Sequence, residues 1–405
     1  MTHFQFSPKI ESMTYIKRLQ EHQIHRALSR GKSILLLGAR QTGKTTMVCK
    51  FTHQLHLNFI RPDVRQRYEK FPSALTKEVE AMNQADVLNI QPVIILDEVQ
   101  RIPEILDVVQ DLIDRKLAKF ILTGSSARKL RRQGRTNLLP GRVLALRLDP
   151  LCMHELMPND LHQALVDGTL PGISSIESSS DRELDLASYV TTYLEQEVRS
   201  EAIVRNLGHF ARFLEYAAID SGRVINTSKL SQEIGVSHTT IRSYFQILED
   251  CLITERIEPI TNTQTRKRLT RSSKYLFFDL GVRRLAAREN RSLPRETMGH
   301  LFEQFIGLEL IRLSRMSNPN WRVRFWRDPN GPEVDWVLET DEKFIPIEVK
   351  YNENPTEKDA RHLHVFLNEY TNTDKGFVIC RTPRPMQLSR QVIALPWQYL
   401  WEIIG

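Results

Sequence analysis

The chain has 405 residues, enough for two or three domains, and its 41% hydrophobic and 26% charged residues are typical of a globular protein. No apolar run reaches the roughly 18 residues that a membrane span needs, and residues 1–10 contain no apolar secretory core. The four cysteines are widely separated, which excludes a CxxC zinc knuckle and argues against a disulfide framework. We therefore expect a reduced, cytoplasmic protein that makes no contact with membranes.

The net charge of +7 is unevenly distributed along the chain. Eleven Lys or Arg accompany only five Asp or Glu between Glu255 and Glu296, and seven basic residues without an acid lie between Ser125 and Leu148. Segregated positive charge favours a polyanionic partner, most often nucleic acid. A solvated basic face is the alternative interpretation.

The chain divides into three segments, which we place at residues 1–165, 166–293 and 294–405. The first alternates short aliphatic strands with amphipathic helices, the pattern of an α/β domain with a buried parallel sheet. Its predicted strands are Ser33–Leu37, Val93–Leu96 and Lys119–Thr123. The second segment is predicted to be mainly helical. The third begins with a helix at Met298–Ser314 and continues as alternating strands, which predicts a compact α/β domain.

A phosphate-binding loop follows the first predicted strand. The sequence from Gly38 to Thr45 fits G-x-x-x-x-G-K-[ST], and a helix is predicted to begin at Thr45. Glycines let backbone N–H groups face a phosphate, Lys44 would bridge the β- and γ-phosphates, and the Thr45 hydroxyl would bind Mg²⁺. The predicted ATP-binding residues are Gly38, Ala39, Arg40, Gln41, Thr42, Gly43, Lys44, Thr45 and Thr46.

The strand Val93–Leu96 ends in two carboxylates, Asp97 and Glu98. After a phosphate loop, this is the Walker B arrangement: Asp97 would hold the Mg²⁺ and Glu98 would act as general base on the attacking water. Two exposed acids at a strand end are the alternative, which the intact alternation of strands and helices disfavours.

Several segments together resemble a known group of proteins. LLLGARQTGKTT, IILDEVQRIPEIL, FILTGSSARKL and LPGRVLALRLDPL are similar to prokaryotic AAA-type (AAA+) P-loop ATPases that carry a C-terminal domain of unknown function with a restriction-endonuclease-like core. SYVTTYLEQEVR, LITERIEPI, RSSKYLFFDLGV and GHLFEQFIGLEL extend the resemblance over nearly the whole chain. It implies an AAA+ fold, ATP with Mg²⁺ and a ring homo-oligomer, expected to be a hexamer, with DNA as the expected substrate.

The resemblance also implies roles for polar residues after the third strand. Thr123 and Ser125 are both eligible for the sensor-1 position, which helps to place the hydrolytic water. Ring ATPases usually need an arginine finger from a neighbouring subunit, and Arg142 in the turn Leu139-Pro-Gly-Arg is the first choice. The other downstream arginines could line a DNA channel or be solvated.

The middle segment contains a predicted helix-turn-helix from Asn226 to Glu249. Gly235 would end its first helix and Ser237 would cap its second, whose first turns would face a DNA groove. Strands at Leu252–Glu258 and Tyr275–Asp279 would complete a winged helix, and protein contacts are the alternative use of such a unit. The predicted DNA-binding residues are His238, Thr239, Thr240, Arg242, Arg266, Lys267, Arg268, Arg271 and Lys274.

The last segment contains a PD-(D/E)xK pattern. Its predicted strands are Arg322–Arg327, Glu333–Glu339 and Phe344–Lys350. Strand alternation puts Glu348 and Lys350 on one face beside Asp335. Asp335 and Glu348 could hold Mg²⁺ with Glu303 closing the shell and Lys350 near the attacking water, or Lys350 and a nearby arginine could act as an internal counter-charge. The first arrangement indicates a nuclease and the second an inactive core.

Three functions remain open on the sequence. The first is a DNA-dependent ATPase motor or remodeller on duplex or branched DNA, branch migration included. The second is an ATP-controlled nuclease of repair or defence type. The third is a non-catalytic nucleotide switch with a winged-helix binding module, which an intact Glu98 disfavours because a switch has less need of an efficient base.

Overall fold

The computed structural model describes residues 15–85, 91–126, 139–156, 160–194, 206–262, 269–328 and 331–403. Its N-terminal part contains a five-stranded parallel sheet in the order β2-β3-β4-β1-β5. The strands are β1 (Ser33–Leu37), β2 (Leu55–Asn58), β3 (Val93–Asp97), β4 (Lys119–Gly124) and β5 (Val143–Arg147). The predicted strands β1, β3 and β4 are confirmed to within one residue. The short strands β2 and β5 were not predicted.

Helices cover both faces of this sheet, as a parallel sheet requires. They are α1 (Gln20–Ser29), α2 (Lys44–Val48), α3 (Pro62–Lys70), α4 (Ala74–Ala85) and α5 (Ile105–Asp114). Ile34 and Leu36 of β1 pack in one apolar cluster with α1 and α2, whereas Leu35 packs with α4 and α5. The alternation of β1 between two cores fixes its C-terminal end, and therefore the loop that follows, against the helical layers.

The middle part is mainly helical, as predicted. Its helices are α6 (Met153–Leu156), α7 (Leu161–Asp167), α8 (Pro171–Ser174), α9 (Ser179–Ser188), α10 (Leu207–Ile219), α11 (Thr227–Ile234), α12 (His238–Asp250) and α13 (Leu280–Ala286), with a π-helical turn at Tyr189–Leu194. An antiparallel ribbon of β6 (Thr254–Ile257) and β7 (Lys274–Phe277) separates α12 from α13. Phe213 and Phe245 pack edge to face, 4.8 Å apart, in the core that joins α10 to α12.

The C-terminal part is a six-stranded mixed sheet in the order β12-β13-β11-β10-β9-β8. Its elements are α14 (Arg295–Ser317), β8 (Arg322–Arg327), β9 (Glu333–Glu339), β10 (Phe344–Val349), α15 (Arg361–Glu369), β11 (Gly376–Cys380), β12 (Met386–Gln387) and β13 (Val392–Pro396), with 3-10 turns at Glu357–Ala360 and Trp397–Ile403. Helices α14 and α15 belong to two separate apolar clusters of this sheet. The predicted helix and the three predicted strands are present, although β10 ends one residue early, before Lys350.

The middle and C-terminal parts share a core. Leu165 and Val166 of α7 are fully buried in the same apolar cluster as Leu301 and Phe302 of α14. The ribbon contributes Leu276 to that cluster as well. These contacts leave little freedom between the two parts.

Candidate active site

The loop between β1 and α2 has the backbone geometry of a phosphate cradle. Gly43 has φ +89° and Gln41 has φ 59°, both in the left-handed region. A Cβ at Gly38 would lie 2.4 Å from the Leu148 carbonyl oxygen, so only glycine fits where the loop passes β5. The structure therefore curls residues 38–45 at the C-terminal end of β1, as the motif predicts.

Lys44 is held inside this loop. Its Nζ donates to the carbonyl oxygens of Gly38, at 2.8 Å, and Ala39, at 2.9 Å, and the residue is 5% exposed. Arg18, which the sequence analysis did not identify, donates through Nη1 to the Thr42 carbonyl at 2.7 Å. The loop is thus braced from within by Lys44 and from behind by Arg18.

Asp97 joins the loop to two further strands. Its Oδ2 accepts hydrogen bonds from the Thr45 hydroxyl, at 2.8 Å, and from Asn58 Nδ2, at 3.1 Å. Its Oδ1 accepts from the Thr123 hydroxyl. A hydroxyl beside a buried carboxylate is a donor set that suits Mg²⁺, so Thr45 and Asp97 fit the ion that a phosphate loop uses.

Glu98 lies beside Asp97 with different partners. It has φ 62°, in the left-handed region, and its buried carboxylate accepts hydrogen bonds from the Ser125 hydroxyl, at 3.0 Å, and from Gln100 Nε2. The Glu98 N–H donates to Thr123 Oγ1 at 3.1 Å. Each candidate for the sensor position therefore contacts one of the two carboxylates: Thr123 contacts that of Asp97, and Ser125 contacts that of Glu98.

Asn58 and Gln100 are the polar residues of this network that sequence reasoning missed. Asn58 ends β2 directly opposite Asp97 in the strand register, and Gln100 follows Glu98 by two residues. A polar residue at the end of each parallel strand was the available signal, because such ends meet at one edge of a sheet. β2 had to be recognised as a strand before that signal could be used.

A cavity of about 1030 Å³ opens beside the loop. Arg40, Gln41 and Thr46 line one side, and Tyr15 and Tyr189 line another. Clefts of roughly 300–1,000 Å³ hold most small ligands. The space next to the phosphate loop is therefore large enough for a nucleoside.

Arg142 lies away from these residues. It precedes β5, whose first residue pairs with Ser33 at the start of β1, whereas the phosphate loop follows the other end of β1. Its guanidinium donates to both carboxylate oxygens of Asp114, at 2.7 and 2.9 Å. Arg142 cannot serve the site of its own subunit from there, and a role across a subunit interface stays a prediction.

The helix-turn-helix pair has the predicted termini. Gly235 ends α11 with φ 77°, and Ser237 Oγ accepts the Thr240 N–H at 3.1 Å to cap α12. His238, Thr239 and Arg242 are exposed, and Thr240 is half-buried. Arg271 is exposed too, whereas Arg266, Lys267 and Arg268 lie outside the described residues.

Lys274 is not a surface residue, which corrects its assignment to DNA. It is 2% exposed, and its Nζ lies 3.3 Å from Glu303 Oε1 and 3.1 Å from Glu333 Oε1. Burial lowers the pKa of this lysine, but the two carboxylates outweigh burial and raise the pKa overall. An ammonium enclosed in this way cannot reach a DNA phosphate.

The basic stretch from Glu255 to Glu296 is also less segregated in space than in sequence. Lys274 pairs with Glu303 and Glu333, and three arginines of the stretch pair with acids that precede it. These pairs are Arg284 with Glu183, Arg288 with Glu215, and Arg291 with Asp167 and Glu183. Much of the positive charge of this stretch is thus already paired with acids of the same chain.

The PD-(D/E)xK residues lie on adjacent strands, with lysines beside them. Lys350 Nζ lies 2.6 Å from Glu348 Oε1, and Asp335 Oδ2 accepts the Val349 N–H at 2.8 Å. Burial, and to a lesser extent the charge of Glu303, raises the pKa of Asp335 to about 7. Burial, and to a lesser extent the charge of Asp335, raises the pKa of Glu348 to about 8. Within the described ranges, no three acid, His or Cys side chains converge on a metal position, so Glu303 does not close a three-ligand shell.

Comparisons with known proteins cover the chain in three stretches. Residues 30–157 match the family model of an AAA domain, residues 158–292 a domain of unknown function (DUF8612), and residues 298–400 another domain of unknown function (DUF4143). The AAA match indicates an ATPase domain that binds a nucleotide. None of the helices in the described ranges is long and apolar enough to cross a membrane.

Two similar curated proteins are uncharacterized proteins of Mycobacterium tuberculosis and Mycobacterium bovis. Each is 26% identical over 359 residues, which cover 86% of this chain and 77% of the relative. Among solved structures, the Bacillus subtilis DNA clamp loader delta protein aligns over 56% of this chain and 87% of its own, with 9% identity and a TM-score of 0.27. A Vibrio cholerae protein aligns over 92% and 96%, with 9% identity and a TM-score of 0.19. The TM-scores of these two structures are too low to support any inference about this chain.

Proposed function

We propose that this protein is a Mg²⁺-dependent ATPase that acts as a motor or remodeller on duplex or branched DNA, as a ring homo-oligomer. The observation that carries the ATPase part is the hydrogen-bonded group of Thr45, Asp97, Glu98 and Thr123 at the end of the loop that holds Lys44. These side chains lie at one edge of the parallel sheet, and they are of the types that phosphoryl transfer to water uses for the metal ion and the attacking water.

The roles follow from the positions. The loop N–H groups and Lys44 would bind the phosphates, and Thr45 and Asp97 would hold Mg²⁺, which neutralises phosphate charge when bound. Glu98 would orient and deprotonate the attacking water. Gln100 and Ser125 position the Glu98 carboxylate by their hydrogen bonds, since a base must point at its proton before it can accept it.

The DNA part rests on α12. The start of this helix presents His238, Thr239 and Arg242 to solvent, and a helix-turn-helix contacts DNA through the first turns of its second helix. The β6–β7 ribbon follows this helix along the chain and would serve as the wing. Apart from Arg242 these side chains are short, and short polar side chains suit phosphate contacts better than base reading. We therefore propose binding to DNA structure with little dependence on sequence.

A panel of single-stranded, duplex, forked and four-way DNA tests this function. ATPase turnover should rise with at least one structured DNA in the wild type and be absent in Lys44→Ala. A motor requires that stimulation. ATP binding with DNA-independent, negligible turnover would instead favour the switch, and would contradict the proposal.

An ATP-controlled nuclease is the second candidate, on one specific observation. Glu348 is 5% exposed and its Oε2 has no hydrogen-bond partner, next to Asp335 and Lys350. Opposing this, Lys350 and Lys274 already act as internal counter-charges to the acids of the cluster. Mn²⁺ calorimetry on the full chain, with DNA cleavage measured in parallel, separates the two: binding and cleavage that both vanish in Asp335→Ala would favour the nuclease.

A further inference from the structure

The strand β5 forms one edge of the parallel sheet. Among the described strands it pairs with β1 alone. Soluble proteins ordinarily cover or charge such an edge, because its free backbone groups pair readily with another extended chain. Here Leu144, in the middle of the edge, is 43% exposed.

A groove of about 790 Å³ runs along this edge. Four consecutive residues of β5, from Leu144 to Arg147, line it. Successive side chains of a strand point to opposite faces, so a groove that contacts all four follows the backbone edge and not one face of the sheet.

The backbone of β5 has donors and acceptors on the groove side. The Leu148 N–H donates to the Leu37 carbonyl of β1 at 2.7 Å, and the Val143 N–H turns the other way to the Leu139 carbonyl. By alternation, the N–H and C=O of Ala145 face away from β1 and toward the groove. An added strand could pair with them.

The rim of the groove is positively charged. Arg26 on α1 and Arg30, the residue that follows this helix, are both exposed and make no ion pair with a described residue. Arg256 of β6 and Arg322 of β8 line the opposite side; Arg322 donates only to backbone carbonyls, and Arg256 lies 3.8 Å from Glu258. The acid that lines the groove, Glu255, is already paired with Arg147 and Arg315.

The floor is apolar. Leu144, Leu146, Ile257 and Trp321 lie between the arginines. Apolar side chains along a free strand edge, with Arg26 and Arg30 exposed at the rim and in no ion pair with a described residue, complement an extended peptide whose residues alternate between apolar and acidic. A nucleic acid would match the rim but would leave the edge backbone without its partners.

We propose that this groove binds an extended acidic peptide segment of a partner protein, which adds to the sheet as a strand next to β5. The surface is separate from α12 and from the ATP site, so the proposal does not depend on the function proposed above.

Fluorescence anisotropy of the full chain with labelled ten-residue peptides tests this. The probe alternates Glu and Val; a second peptide replaces every Glu by Lys, and a third carries N-methyl groups on alternate amides, which abolishes strand pairing along one edge. We expect the acidic probe to bind, and the Lys and N-methyl peptides to lose binding at least about tenfold.

A charge-reversed pair of variants makes the test specific. Arg26→Glu with Arg30→Glu should weaken the acidic probe about tenfold or more, whereas Arg384→Glu with Arg390→Glu, the same charge change on exposed residues of the C-terminal part, should leave it unchanged. Because the N-methyl comparison uses the wild-type chain, it holds even if a variant folds poorly.

Four results would overturn the proposal. The first two are equal binding of the N-methyl peptide and of the acidic probe, and no binding of the acidic probe at up to about 1 mM. The third is competition by a twelve-nucleotide dT strand that is lost in the Arg26→Glu, Arg30→Glu variant. The fourth is a change in sedimentation of that variant, which would show that a second copy of the chain covers the groove.

Discussion

At the residue scale, Asp97 and Glu98 are neighbours with different partners. Asp97 is bonded to the loop through Thr45 and to the sheet through Asn58 and Thr123, which leaves it no freedom to reorient. Glu98 turns away through its left-handed backbone and is held by Ser125 and Gln100. This difference suits the roles proposed for them, Asp97 as a fixed Mg²⁺ ligand and Glu98 as a base that meets a water.

Replacing the two charged centres should therefore have distinct effects. Glu98→Gln should still bind ATP but hydrolyse it about 10²- to 10⁴-fold more slowly, because only the base is removed. Lys44→Ala should lose nucleotide binding, because no neutral side chain replaces the cation beside the phosphates. Fluorescent-nucleotide binding and phosphate release measure the two effects, with exposed Glu104→Gln as the matched control. Wild-type turnover in Glu98→Gln would show that Glu98 is not the base.

The acids of the C-terminal cluster predict a pH dependence of stability. The pKa values of Asp335 and Glu348, about 7 and 8 in the folded chain, lie above their ordinary values of 3.8 and 4.5. The folded state thus holds protons that the unfolded state releases. The stabilising contribution is complete below pH 4 and is lost as the pH rises toward about 8.

In metal-free buffer, the wild-type Tm should accordingly fall between pH 5.5 and 8.5. The Tm of the Glu348→Gln variant should fall by several degrees less, because this variant lacks the titrating carboxyl and each pKa unit corresponds to about 1.4 kcal/mol. Scanning calorimetry at three pH values measures this, with exposed Glu342→Gln as the control that should follow the wild type. Parallel curves for all three proteins would contradict a raised pKa of Glu348 in the folded chain.

At the scale of elements, the sequence predicted those helix ends that neighbouring residues determine. The capping residues Ser237 and Gly235 determine where α12 begins and α11 ends, and both positions were predictable. The environment of Lys274 was not, because its partners Glu303 and Glu333 lie on other elements far along the chain. A lysine in a basic stretch of sequence resembles a surface residue until its neighbours in space are known.

Two parts of this basic stretch should therefore behave differently. Replacing Arg266, Lys267 and Arg268 by Gln should weaken DNA binding and reduce the slope of log K against log salt by about 0.9 per lost phosphate contact. Lys274→Met should leave that slope unchanged but lower the Tm, because Glu303 and Glu333 lose their buried counter-charge.

Salt titrations of duplex binding, with thermal unfolding beside them, check both variants. Arg384→Gln with Arg390→Gln is the control for loss of charge alone. An unchanged slope in the triple variant would mean that these three residues contact protein or solvent, and would favour the protein-binding use of the helix-turn-helix.

At the scale of the whole molecule, a ring of four charges joins regions that match three different family models. Arg147 and Asp149 lie at the end of β5, Glu255 lies on β6 and Arg315 lies near the end of α14. Arg315 contacts Asp149 at 2.9 Å and Glu255 at 2.7 Å, and Arg147 contacts the same two acids. The sequence predicted the separate sheets because each has a local apolar pattern. It could not predict this junction, because ion pairs between distant elements have no periodicity along the chain.

The junction predicts that one substitution will loosen several parts at once. Arg315→Met should destabilise the protein by about 3–5 kcal/mol, because Asp149 and Glu255 would then share only Arg147 in a site with little access to water. Hydrogen exchange should increase in β5, β6 and the end of α14 together, while α11, to which none of these four residues belongs, keeps its protection. Arg288→Met removes an exposed pair with Glu215 and is the matched control, expected to change stability by less than about 1 kcal/mol. If exchange increased in α14 alone, the four charges would not couple the ATPase sheet to the C-terminal part, and the contacts of α7 with α14 would have to hold the molecule together instead.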